Sequence, residues 1–136
     1  MELVIGGGAV GTALASYLQL ANKEVMLQVK EDQLDGYKGV TELVTTFSTG
    51  HPAIVQNSPK ICASPENWAD IEHLYIAVKN RSLDEVLAKL PKKLPRQISV
   101  IPCLNGVRAE EKVRDAFPGA RIYPMVVMFN HRLIES

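Results

Sequence analysis

A chain of 136 residues, 46% hydrophobic and 22% charged, has the size and composition of one globular domain, residues 1–136, able to bury a core without staples. Lysine plus arginine balance aspartate plus glutamate at 15 each, so no net field draws it toward nucleic acid or anionic lipid. Its start does not read as a signal peptide, no apolar run approaches the roughly 20 residues that cross a bilayer, and two cysteines make no disulfide framework. These features predict a cytoplasmic protein with no nucleic-acid or membrane partner. Cys62 and Cys103 are expected as reduced thiols, Cys103 buried and inert.

In chain order, "ELVIG" from Glu2 reads as a buried strand, and Ala9–Leu20 as a small-residue helix with Leu14, Leu18 and Ala21 on one face. Glu24–Val29 is a second strand. Lys30–Asp70 is rich in Gly, Pro, Ser and Thr and accommodates one or two short strands or a long excursion. Trp68 reads there as a packing residue on a short helix. His73–Val78 is the next strand, and Ser82 with Glu85 three residues later predicts a capping box opening a helix that runs to Leu90. "KLPKKLPR" reads as a solvated turn on the sheet edge away from any ligand. "QISVIPCL" is a strand, Ala109–Phe117 a helix stopped by Pro118-Gly119, and "RIYPMVVMF" a last strand. Repeated strand–helix–strand units imply an α/β fold: a doubly wound, mainly parallel sheet with helices on both faces.

The costliest feature is the glycine cluster in "LVIGGGAVGTAL", because glycine loses the most backbone entropy on folding. Gly6, Gly8 and Gly11 fill the spacing G-x-G-x-x-G, with Gly7, Ala9 and Val10 between them, after a strand and at the start of a helix. That context predicts a Rossmann-type turn for a dinucleotide: a tight bend, room for a diphosphate, and close helix–strand packing. Gln28, Val29 and Lys30 occupy the tip of the second strand, where a carboxylate would favour NAD and a cation the 2′-phosphate of NADP. NADP(H) is therefore expected. Glu31 and Asp32, which follow at once, either pair with Lys30 or place one carboxylate on the ribose.

"IAVKN" puts Lys79, and "IPCLNGV" puts Asn105-Gly106, at the carboxyl ends of the next two strands, facing the crevice of the glycine loop. The combination GxGAVG, AVK and NGV resembles the amino-terminal domain of the ketopantoate reductase (2-dehydropantoate 2-reductase, PanE/ApbA) family. The resemblance implies that Lys79 contacts the cofactor, that Asn105 lies near both nicotinamide and substrate, and that Asn130 marks a further cofactor contact. It also implies hydride transfer from NADPH to the ketone of a 2-keto acid, ketopantoate, on the route to pantothenate. The general-acid lysine of the family lies in a helical carboxyl-terminal domain, and this sequence ends at Ser136, before such a domain. The 136 residues alone are accordingly expected to bind dinucleotide weakly and to turn over poorly, with exposed apolar surface that makes a homo-oligomer plausible. A related 2-keto or hydroxyacid dehydrogenase module and a non-catalytic dinucleotide sensor are the alternatives. His51, His73 and His131 share no ligand spacing, so no metal site is expected.

Overall fold

The computed structural model describes residues 1–37, 43–46, 54–57 and 59–126. Eight strands and three helices follow in the order β1 (Glu2–Ile5), α1 (Ala9–Leu20), β2 (Val25–Gln28), β3 (Leu43–Thr46), β4 (Ile54–Asn57), β5 (Lys60–Cys62), β6 (His73–Ile76), α2 (Asn80–Lys89), β7 (Ser99–Pro102), α3 (Val107–Ala116) and β8 (Arg121–Ile122). Six strands form one sheet in the order β5-β2-β1-β6-β7-β8, and every pairing in it is parallel. Numbered within the sheet alone, this is 3-2-1-4-5-6: the order reverses between β1 and β6.

The alternation of β1 divides the core in two. Leu3 and Ile5 join Leu74, Ile76 and Val100 under Leu83 of α2 and Val113 of α3. Val4 points the other way, joining Val25, Leu27 and the α1 residues Leu14 and Ala15. Burial on both faces explains why β1 reads as an unbroken apolar run. In α1, Leu14 and Leu18 meet the sheet side as their spacing predicts, but Ala21 is exposed at the C-cap. Asn22 then stops the helix in the left-handed region at φ 62°.

Among its described residues, the Lys30–Asp70 segment holds three strands, one more than the one or two expected. Residues 31–37 form a 3-10 turn that is exposed except at Leu34 and Tyr37, β3 and β4 pair antiparallel against α1, and β5 joins the sheet edge. Trp68 sits on a short 3-10 turn and packs partly buried against the α2–α3 side of the core, as expected.

Element ends differ from the pattern in instructive ways. Helix α2 starts at Asn80, with extended Lys79 as N-cap, so Ser82 lies inside the first turn and the capping box does not form. The Ser82 N–H bonds the Lys79 carbonyl at 2.9 Å. Helix α3 starts two residues early because Gly106, at φ 115°, turns the chain directly into it. The last strand ends at Ile122, although Tyr123 and Met125 still donate to Val100 and Pro102 at 2.9 and 2.8 Å. Pro124 falls between those two donors, on the outer edge where its missing N–H costs no ladder bond.

Replacing Ser82 by alanine should leave urea-unfolding stability within about 0.5 kcal/mol of wild type. A true N-cap serine would cost about 1 kcal/mol, so a loss of that size would contradict the helix start seen here.

Candidate functional site

The turn from β1 to α1 is shaped by what its glycines exclude. Gly6 has φ 122°, and a Cβ there would lie 2.3 Å from the Ala77 carbonyl oxygen. A Cβ on Gly11 would lie 1.8 Å from the Gly6 carbonyl oxygen, so α1 can approach β1 this closely only without a side chain there. Gly8 is the opposite case. It is exposed, its φ of −79° suits any residue, and a Cβ would meet nothing within 4 Å. What glycine leaves at position 8 is therefore empty space in front of the helix.

Helical bonding in α1 begins with the Thr12 N–H to the Gly8 carbonyl at 3.0 Å, and no side chain caps the helix start. The preceding amides of the first turn are thus the ones helical geometry leaves without an intrahelical acceptor, at the positive end of the dipole. Helices α2 and α3 also begin without a side-chain cap, at Lys79 and Gly106. Because all three follow parallel strands, all three starts lie on one edge of the sheet.

That edge holds a cavity of about 270 Å³ lined by Val10, Val78, Lys79, Asn80, Cys103, Leu104 and Asn105. It sits beside the point where the strand order reverses. The structure therefore brings Val10, Lys79 and Asn105 together next to Gly6, Gly7, Gly8, Ala9 and Gly11. Lys79 and Asn105 are both exposed, and the Asn80 side-chain amide donates to the Asn105 carbonyl at 3.4 Å, tying the ends of β6 and β7 together. Asn80 was not singled out from the sequence; its signal is its place directly after the lysine at a strand end. Cys103 is buried and its thiol is pushed up to about 12 by burial, which keeps it protonated. The half-buried Cys62 thiol is likewise raised, to about 11.

Lys30 is exposed just past β2, with its N–H 3.4 Å from the Gln33 side chain. Among the described residues it forms no ion pair with Glu31 or Asp32, which project from the following turn. Its charge instead helps the Lys89 hydrogen bond and charge hold Glu85 of α2 below the usual carboxylate range. Asn130, His51 and His131 lie outside the described residues.

A larger concavity of about 660 Å³ occupies the opposite edge, between Asp70, Glu72, His73, Ser99 and Arg121. Strands enter the sheet there, and among the described residues no uncapped helix start faces it. His73 lies at that end, its Nδ1 3.0 Å from Oε1 of the buried Glu2, and is remote from the crevice.

An all-parallel sheet in this order, with a glycine turn opening α1 at the reversal, defines a Rossmann-type fold, the architecture that dinucleotide-binding domains use. The cradle fits such a ligand: open space at Gly8, first-turn amides with no acceptor among the described residues, and a cation at the next strand tip. The chain belongs to the ketopantoate reductase PanE/ApbA family, whose pattern matches residues 3–135. Among curated relatives, a glycerol-3-phosphate dehydrogenase [NAD(P)+] of Tropheryma whipplei is 30% identical over 117 residues, and one of Neorickettsia sennetsu is 23% identical over 109. These alignments cover 83% and 80% of this chain but 34% and 32% of the relatives, so the chain spans about a third of their length. Similar folds occur in a PanE/ApbA family ketopantoate reductase from Ralstonia eutropha (TM-score 0.72, 19% identity, 91% of this chain and 40% of that one). They occur also in a dimeric ketopantoate reductase from Staphylococcus aureus (0.64, 21%, 99% and 46%) and in a D-mandelate dehydrogenase solved with NADH (0.72, 21%, 91% and 40%). The named relatives are thus oxidoreductases.

Two substitutions separate the glycine roles. Gly11→Ala should lose about 1–3 kcal/mol of unfolding free energy through overpacking, whereas Gly8→Ser, a favoured N-cap, should be neutral or slightly stabilising. Both thiols should resist a thiol reagent at pH 8 in the folded chain and react promptly in urea. The Cys103 contribution to stability is present below the unfolded value near 9.0 and is lost as pH rises toward about 12.

Proposed function

We propose that this chain is the NADPH-binding domain of a ketopantoate reductase-like oxidoreductase. One observation carries the reading: the open, uncapped start of α1 at Gly8 lies at the strand-order reversal, beside Lys79 and Asn105. Amides of Gly8 through Gly11 would hold the diphosphate, and the Lys30 ammonium would meet the 2′-phosphate of NADP, since no carboxylate occupies the tip of β2. The cofactor, when bound, supplies a hydride to the ketone carbon of a 2-keto acid such as ketopantoate.

The chain's own groups then divide the remaining work. Lys79, at the N-terminus of α2, would contact the cofactor and place positive charge beside the crevice. The Asn105 side-chain amide can donate a hydrogen bond to a carbonyl or carboxamide and so orient it, but it has no proton to give at neutral pH. The proton for the new alkoxide, and most substrate contacts, are assigned to the helical domain that the family resemblance implies. On this reading residues 1–136 bind cofactor as a single domain in the cytoplasm and turn over poorly by themselves, with Asn130 as a further contact.

A second reading, NAD in place of NADP, is supported by the exposed Glu31 and Asp32 one step beyond Lys30 and by the NADH in the D-mandelate dehydrogenase structure. Calorimetric titration decides between them. The wild-type chain should bind NADPH more tightly than NADH, Lys30→Glu should erase or reverse that preference, and Gly8→Ser should weaken both about tenfold or more while leaving the melting temperature intact. Equal affinities in wild type and Lys30→Glu would contradict the role of Lys30.

A further inference from the structure

Gly7 is not required by the G-x-G-x-x-G spacing, yet unlike the open Gly8 it is crowded, in its case by side chains. A Cβ there would lie 2.9 Å from the Tyr37 hydroxyl oxygen and 2.9 Å from Cγ1 of Val29. Tyr37 closes the 3-10 turn that begins directly after Lys30. It packs half-buried against the α1 side of the core and donates its hydroxyl to the Gly7 carbonyl at 3.4 Å. The Thr12 hydroxyl, one turn into α1, donates to the same carbonyl, also at 3.4 Å. Two hydroxyls from elements on either side thus hold one carbonyl.

The described peptide bonds are all trans, so the Gly8 N–H points opposite to the Gly7 carbonyl. Fixing the carbonyl on the protein side fixes that N–H toward the open side, where Gly8 has no neighbour within 4 Å of its Cβ position. A loop of three glycines would otherwise let this peptide plane rotate with little steric resistance. We infer that Tyr37, together with Thr12, is a positioning residue for the diphosphate: it sets the Gly7–Gly8 peptide plane so that the Gly8 amide faces the anion. The inference rests on the dinucleotide reading above and deepens it, because the turn that directly follows the proposed 2′-phosphate cation Lys30 clamps the diphosphate loop at its own end. Burial raises the Tyr37 phenol above its ordinary value, which keeps the hydroxyl a donor throughout the neutral range.

The test compares wild type, Tyr37→Phe and Thr12→Val by NADPH calorimetry, melting temperature and the amide resonance of Gly8. Phenylalanine keeps the ring in the core and removes only the donor. Loss of one such hydrogen bond should weaken NADPH binding roughly three- to tenfold in each variant. The unliganded melting temperature should stay near wild type. The NADPH-induced shift of the Gly8 amide should shrink, while that of Asn105 persists. Wild-type affinity in Tyr37→Phe would overturn the inference and leave the dinucleotide reading standing. Weaker binding with a lowered melting temperature and equal loss of shift at Gly8 and Asn105 would overturn it too, by showing a merely structural role. Failure of the wild-type chain to bind NADPH would remove both.

Discussion

The contact between the backbone of Gly11 and the carbonyl of Gly6 governs the rest of this structure. With 1.8 Å separating a hypothetical Cβ from that oxygen, no other residue lets α1 lie against the end of β1. The matching contact of Gly6 with the Ala77 carbonyl brings β6 to the same point. One bend therefore joins the first strand, the first helix and the strand across the reversal. Its consequence is chemical as well as steric, because it leaves backbone donors facing solvent at the one place where the sheet opens.

The same edge gathers the candidate site by topology rather than by any concentration of charge. Parallel strands force every helix that follows to start on the same side, so α1, α2 and α3 present three uncapped N-termini there. Lys79 and Asn105 are the first exposed residues beyond β6 and β7, which places them at the crevice. The amino-terminal edge has a larger hollow, but its wall mixes Asp70, Glu72, His73 and Arg121, and its histidine is bonded to Glu2. Size alone would select the end of the sheet opposite the glycine turn.

Much of this was legible in the sequence because it depends on local signals. Apolar runs of β1, β6 and β7 and the glycine spacing are set by burial on two faces and by close backbone approach, and both leave marks a single chain shows. Element ends were less legible. Ser82 and Glu85 satisfy a capping pattern, yet α2 starts at Asn80 because the crossover from β6 brings the backbone into helical geometry earlier. The β3–β4 pairing runs from Leu43 with Asn57 to Thr46 with Ile54, the Tyr37 hydroxyl reaches back to Gly7, and no periodicity reports such contacts. The burial of Glu2 beside His73 was equally silent, since a carboxylate at a strand start reads as solvated until its neighbour strand is known.

The proposed use of this edge is the holding of a dinucleotide by a bare main chain. A crystal structure of the chain grown with NADP+ tests that most directly. The account predicts diphosphate density against the amides of Gly8 to Gly11, with the 2′-phosphate at Lys30 and the nicotinamide between Lys79 and Asn105. Density at the amino-terminal edge near His73 and Arg121, or a helix start with no ligand at saturating NADP+, would contradict it.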